Sequence, residues 1–463
     1  MLDGCVIVRC MMGDELMKLA AFVSQLGVDD VPAEVRTAAV RRVLDSVGSI
    51  IGGSQEGQVR AVRERWLEVN PAGSISLLGT DRALGIGPAV FLNALAAHTL
   101  EMDDVHIGSK THIGAVVVPA AWGTAQLVGA SGEDLVLAVI CGYEVTSRIG
   151  MAFGVSAHRA RGWHATSTAG TFGAAAAAAK LLGLDAQTTA YALGLAGAQS
   201  FGTWGFLGDG ASNKVLNPAR AAQSGVEAAL LAQAGMTGPV HILTAEDGGI
   251  LSMMSDAPEV ERATEGLGEV WEICRVDSKP YPACRSTHCV IDGVLALRSG
   301  CGISAHDVRS IDVETYEVGY RQCAEKEGSI HPVNAVQAKF STPFTAACAL
   351  LYGKVTLAQL EADVIGDPEL RSLMDKVHVR ATEEFTSAYP DHWGCRVRIT
   401  LTDGTAREVT VPDASGGVAS PLSAEQIEHK AIGLMEGVVG PQRAEGIVEK
   451  VREIERARAI PQL

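Results

Sequence analysis

The sequence predicts a mainly α protein: a large all-helical domain carrying a smaller α+β lid domain. Apolar residues recur at three- and four-residue spacing along most of the first 276 residues, the period of helices with one buried face. β-branched clusters and a hairpin pattern begin only after Asp277, and a charged amphipathic stretch follows from Ser423. A chain of 463 residues exceeds one ordinary core, so two domains are expected. The change of texture divides 1–276, joined by returning helices in 415–463, from a lid over 277–414. Hydrophobic residues make up 47% and aromatic residues only 5%, so small and branched aliphatics must fill the core, which suits closely packed helices.

The elements follow in order. Residues 1–10 read as a loose extension ahead of Met11 or Met12. Asp14 is placed to cap a helix with Leu16, Leu19, Val23 and Leu26 on one face, and Pro32 opens another carrying Val40, Val43, Val47 and Ile50. Pro88 begins an apolar helix that runs into LEMDDVHIGSKTHIGA, residues 100–115. Ser131 and Asp134 form a capping-box pattern ahead of DLVLAVICGYEV. Further helices are expected over Thr171–Leu182, Ala186–Ala198 and Pro218–Ala234. In the lid, Val308–Val318 and Val377–Ala381 read as strands, and CRVRITLTDGTAREVTVP as a hairpin turning at Asp403-Gly404. Helical pattern is interleaved at Thr345–Tyr352 and Leu357–Leu360. From Ser423 one amphipathic helix runs toward the end and is expected to pack on the first domain.

Charge and motifs exclude several classes. A net charge of -16 with a pI near 5.2 repels phosphate backbones and anionic lipid, so neither nucleic acid nor membrane is an expected partner. Apolar stretches such as 114–128 are broken by Gly, Pro and Gln before reaching spanning length, and the N-terminus has the wrong charge order for a signal peptide. Ten scattered cysteines without a CxxC pair read as reduced thiols of a cytoplasmic protein. There is no GxGxxG after a strand, no GxxxxGK[ST] and no HExxH, so no cofactor is expected. Asp103, Asp104, His106 and His112 are suitable metal ligands, yet their spacing matches no template, and no metal is expected.

What remains is a set of ionisable groups between apolar runs. Residues 100–115 hold three carboxylates, two histidines and a lysine at a helix end, and buried ionisable groups need partners or a task. Four more segments carry such groups: 161–164 (RGWH), 212–214 (SNK), 279–288 (KPYPACRSTH) and 316–321. Singly, each reads as an ordinary core histidine, surface lysine or interdomain turn.

Together, in this order, LEMDDVH…THIGA, RGWHATSTAGTFGAAAAAAKLLGL, GASNKVLNPARAAQSG, KPYPACRSTH and AVQAKFSTPFTAA resemble the MmgE/PrpD family from about Leu16 to about Val451. That family includes 2-methylcitrate dehydratase, cis-aconitate decarboxylase and iminodisuccinate epimerase. The resemblance implies a homodimer of two-domain subunits with the active site in the interdomain cleft. Its active-site positions fall on Glu101, Val105, His112, His164, Lys214, Lys279, Cys284 and Tyr320. Glu101 stands where the pattern has aspartate, Val105 where threonine often follows the paired acids, and Cys284 where the decarboxylase-type site has histidine. KTHIGAV replaces the GHPSDN-like run of the dehydratase branch.

The shared chemistry is proton removal or carbon dioxide loss beside a carboxylate of a small di- or tricarboxylate, leaving a carbanion spread onto oxygen. His112 and His164 are the expected acid/base groups, with Lys279 and Tyr320 completing the catalytic set. Lys214, Lys279 and Arg285 would neutralise substrate carboxylates, and Glu101, Asp104 and Cys284 join the binding residues. The acids are expected to orient His106, His112 or a lysine. The leading expectation is a cofactor-independent hydro-lyase dehydrating a citrate-like hydroxy acid. An epimerase of the iminodisuccinate type is the alternative; a cis-aconitate-type decarboxylase and a non-catalytic relative rank behind both.

Overall fold

The computed structural model describes residues 15–463, so the expected cap Asp14 and the N-terminal extension lie outside the described residues. The large domain is built from helices α1 (Glu15–Gln25), α2 (Ala33–Gly53), α3 (Ile86–Thr99), α4 (Gly114–Val128), α5 (Gly132–Ala152), α6 (Gly170–Leu181), α7 (Ala186–Ala198) and α8 (Leu216–Gln233). The Ser131 capping box forms: its hydroxyl accepts from Asp134 N at 3.2 Å, and the Asp134 carboxylate accepts from Ser131 N at 3.1 Å. α6 is the central helix, with Ala174 to Ala179 fully buried between α5 and α8. Alanine and glycine permit that closeness: a Cβ on Gly173 would collide with Thr146 Oγ1 and Gly142 O. α5 has the length and composition to cross a membrane, but 94% of its apolar window is buried inside this core.

A two-residue strand, β1 (Val105–His106), interrupts the loop between α3 and α4 and pairs antiparallel with β2 (Val276–Asp277), the last strand before the lid. The lid contains α9 (His288–Cys301), β3 (Val308–Thr315), α10 (Thr342–Tyr352), β4 (Val377–Ala381), β5 (Cys395–Leu401) and β6 (Ala406–Val411). Its sheet order is β4-β3-β5-β6, with β3 and β4 parallel and the other pairs antiparallel. The expected strand over 308–318 stops at Thr315, and a short helix, Glu317–Cys323, follows. Val308, Ile311, Val313, Val397 and Ile399 point into a second core under α9 and α10. The hairpin turns over four residues, with Gly404 at φ +86°, the left-handed geometry that glycine tolerates.

The expected C-terminal helix is two: α11 (Ala424–Val439) and α12 (Pro441–Arg452), broken where Gly440 at φ +83° meets a proline. Both pack on the large domain, and Ile427, Ala431, Met435, Ile447 and Val451 belong to its core. α11 lies on α2, where Lys430 pairs with buried Asp45 at 2.6 Å.

Candidate active site

A cavity of about 460 Å³ opens between the large domain and the lid. Glu101, Val105, Lys110, His112, Arg159, Trp204 and Lys214 face it from the large domain, and Lys279, Cys284, Arg285, Tyr316, Phe340, Tyr389 and Trp393 from the lid side. β1 against β2 explains the meeting of distant segments: the pair carries the 101–112 loop alongside the chain leading to Lys279 and Cys284.

α3 delivers His98 and ends at Thr99, and Glu101 then takes φ +58°. A glutamate in the left-handed region is strained, and such strain collects at functional sites. The Glu101 carboxylate bridges two buried lysines, Lys214 through Oε1 and Lys279 through Oε2, the latter at 3.0 Å. Burial pulls Lys279 below the ordinary lysine range and Lys214 well below it, and for Lys214 the Lys279 charge adds to the effect. The carboxylate between them opposes that loss of charge. Lys214 sits in the turn before α8 with Nζ 5.1 Å from the Phe340 ring.

Beside this triad, Asp103 lies between two imidazoles. Its Oδ2 is 2.6 Å from His98 Nδ1 and 3.2 Å from His112 Nδ1, the second in ion-pair range without hydrogen-bond alignment. Burial drives His98 down to about 3, so its neutral ring donates Nδ1–H to the carboxylate. Burial works against ionisation of Asp103, yet the two imidazoles hold its carboxyl well below the usual range. His112 is thereby oriented at the cavity wall, and its backbone N–H is fixed by Thr166 Oγ1 at 3.1 Å.

Seven of the residues expected from sequence line the cavity: Glu101, Val105, His112, Lys214, Lys279, Cys284 and Arg285. Arg285 is already engaged. Its guanidinium donates to Asp277 at 2.8 Å, Ser415 O at 2.9 Å and Ala414 O at 3.2 Å, which ties the lid's two connections together. Cys284 contacts Cys323 and Phe340 in a small buried cluster. Its thiol is pulled down to about 6, first by the Cys323 thiol and then, against burial, by the Ser286 backbone and the lysine charges.

The other three stand off. His164 is buried behind Trp204, 5.0 Å away edge-to-face, with Nδ1 3.1 Å from Asn217 Nδ2. Asp104 lies deeper, accepting from Tyr143 OH at 2.5 Å and Gly114 N at 2.8 Å, where it anchors the start of α4. Tyr320 is half-buried outside the lining, whereas Tyr316 is on the cavity wall with its hydroxyl buried. His106 is oriented by Glu272 at 3.0 Å and not by the neighbouring acids. Sequence reasoning missed His98, which is embedded in an alanine-leucine run, and left Lys110 without a role.

Of the potential metal ligands, Asp103 and His112 stay together, whereas Asp104 turns to Tyr143 and His106 to Glu272. Among the described residues His98, Asp103 and His112 place ligand atoms within 4.8 Å of one another, so their donor types would suit a divalent ion. Both imidazoles, however, turn Nδ1 to the same Asp103 oxygen, and two lysine ammoniums adjoin the cluster through Glu101. That is a carboxylate orienting two rings, and the fit to a cation is poor.

Models of the MmgE/PrpD N-terminal and C-terminal domains match residues 17–263 and 281–455. The chain belongs to the MmgE/PrpD family. Among MmgE/PrpD relatives it is 27% identical to the cis-aconitate decarboxylase-like protein oryM of Aspergillus oryzae, covering 97% of this chain and 96% of the relative. It is 26% identical to a cis-aconitate decarboxylase of Aspergillus terreus over 96% and 94% of the two chains. The mitochondrial 2-methylcitrate dehydratase of Yarrowia lipolytica is 26% identical over 49% of this chain and 44% of its own. The MmgE/PrpD family fits an enzyme acting on a small carboxylate.

Proposed function

We propose that the chain is a lyase acting on a small di- or tricarboxylate by general acid–base chemistry in the interdomain cavity. One observation carries this reading. Among the described residues, Lys110, Arg159, Lys214, Lys279, Arg285, Arg321 and Lys326 line the cavity against only Glu101 and Glu325, in a chain whose net charge is -16. Cations gathered against the overall charge mark a pocket built for a polyanion.

Lys214 and Lys279 hold a substrate carboxylate and take up charge developing on its oxygens, their strength raised by exclusion from water. His112, oriented by Asp103, gives or takes the proton at the neighbouring carbon. Decarboxylation of an unsaturated tricarboxylate moves ahead of dehydration, because the relatives aligned over nearly the full chain are named cis-aconitate decarboxylase or decarboxylase-like and the dehydratase aligns over about half. In that reaction the carbon–carbon bond to the departing carboxylate breaks, the electron pair spreads onto the remaining carboxylate system, and a proton is delivered to carbon. Cys284 does not remove a proton carrier from the histidine position of the decarboxylase-type site. A thiol titrating near 6 beside two lysines serves there. Dehydration remains the second reading, favoured by the dehydratase relative.

Proton NMR in deuterated water with cis-aconitate, citrate, methylcitrate, tartrate and iminodisuccinate separates the outcomes. The expected result is a deuterium-labelled, decarboxylated unsaturated acid from cis-aconitate. An unsaturated acid formed from citrate or methylcitrate establishes dehydration instead. Solvent deuterium entering iminodisuccinate without an unsaturated product establishes the epimerase. Neither turnover nor solvent exchange on any of the five overturns the proposal.

A further inference from the structure

Lys110 is the one member of the 100–115 stretch whose charge has no assigned use. It lies where the cavity meets a second, more open one of about 750 Å³, and it lines both. Its Nζ is shielded within the protein and has no hydrogen-bond partner among the described residues. The neighbouring cations differ: Lys214 and Lys279 share Glu101, Arg285 holds Asp277, and Lys339 donates to Thr99 O at 2.7 Å.

Two lid aromatics cover the ammonium, Trp393 with its ring centroid at 4.2 Å and Tyr389 at 5.0 Å. Aromatic faces stabilise a cation without accepting its N–H bonds in the way an oxygen does, so the donors stay available. Burial pulls Lys110 down to about 7; of the two acids that oppose this, Asp277 is committed to Arg285 and to Val418 N–H at 3.1 Å, and the other is Asp391. The backbone of Lys110 is held at φ +59°, a left-handed conformation that a lysine adopts at a cost. A side chain kept buried, unpaired and on a strained backbone at a cavity wall lacks an anionic acceptor, which a ligand can bring.

Resting on the lyase reading above, we propose that Lys110 is a second carboxylate-binding position of the cavity, separate from the Lys214–Lys279 pair, and that it selects tricarboxylates over dicarboxylates. The lid aromatics close over this end of the ligand, while Glu101 and the lysine pair hold the other.

Titration calorimetry with two unreactive acids tests this: tricarballylate, with three carboxylates, and glutarate, with two. Wild type should bind tricarballylate roughly tenfold more tightly or better, the size of one charge-assisted hydrogen bond. Lys110→Met should lose that margin and change glutarate affinity by less than about twofold, and Lys110→Arg should keep part of it. Removing an unpartnered buried amine relieves desolvation, so the Met variant should fold at least as well, and Lys110→Gln provides a second neutral variant. Equal binding of both acids by wild type, or a margin that survives in both neutral variants, overturns the role of Lys110 and leaves the lyase reading standing. Wild type binding neither acid overturns both.

Discussion

Glu101→Gln isolates the electrostatics of the two buried lysines. The Glu101, Lys214 and Lys279 side chains are at most 7% exposed, and the substitution keeps the shape while removing the carboxylate that touches both ammoniums. Breaking a buried ion pair from one side costs about 3–5 kcal/mol. With ~2.1 cal/mol/K of unfolding entropy per residue, that corresponds to a fall of about 4–7 °C in the melting temperature of the large domain. The loss has a pH signature. Without the carboxylate, burial and mutual repulsion depress the lysines further, so the folded chain releases a proton that the unfolded chain retains up to about pH 10.4. The unfolded state then binds more protons, and the variant gains stability as pH rises, by at most about 1.4 kcal/mol per pH unit for each proton. Calorimetry at pH 6, 7.5 and 9 should therefore show the widest gap to wild type at pH 6, narrowing toward pH 9. Glu101→Asp keeps the charge and should recover most of the loss. Equal melting temperatures at pH 6, or a gap that widens toward pH 9, refutes the reasoning.

Asp103→Asn leaves His112 without its orienting carboxylate, and steady-state kinetics on the substrate identified by NMR should show kcat lowered by about 10²–10⁴ with KM within about threefold. Asp104→Asn acts on the loop anchor, so kcat and KM should stay within about twofold. Burial pushes the Asp104 carboxyl from 3.8 up to about 6, so the folded state binds the extra proton, and wild type should lose stability relative to Asp104→Asn as pH climbs through that window. Thermal melts at pH 4, 5 and 7 check the sign. Gly173→Ala forces a methyl into Thr146 and Gly142 O of the packed α5–α6 contact, and urea unfolding should show a loss of about 1–3 kcal/mol or more.

Local signals proved the most legible. The Ser131 cap, the helix over Ala186–Ala198 and the strands around Asp403-Gly404 depend on neighbours within a few residues, and the structure contains all three. The site motifs were visible as residue types, but their roles depend on direction and on partners far along the chain. Sequence alone offers Arg285 to the substrate carboxylates, because Asp277, Ala414 and Ser415 converge on it only after folding. Tyr316 and Tyr320 are four residues apart, on either side of a strand-to-helix switch that β-branched content concealed. His98 carried no signal, since one histidine in an apolar helix looks like any satisfied core residue until Asp103 folds back on it.

The lid's two connections run side by side, with Ser278 N–H donating to Gly416 O at 2.9 Å. This has a bearing on the order of folding. The face of α2 that receives α11 cannot be covered until Ala431 has been synthesised, long after Gly48, where an added Cβ would stand 3.0 Å from Ala431 Cα. Closing so long a loop as random chain is entropically costly and leaves apolar surface open in the meantime. A lid that folds first brings residues 278 and 416 together and takes the segment between them out of that loop. The small domain is then a folding clamp for the large one as well as the roof of its cavity.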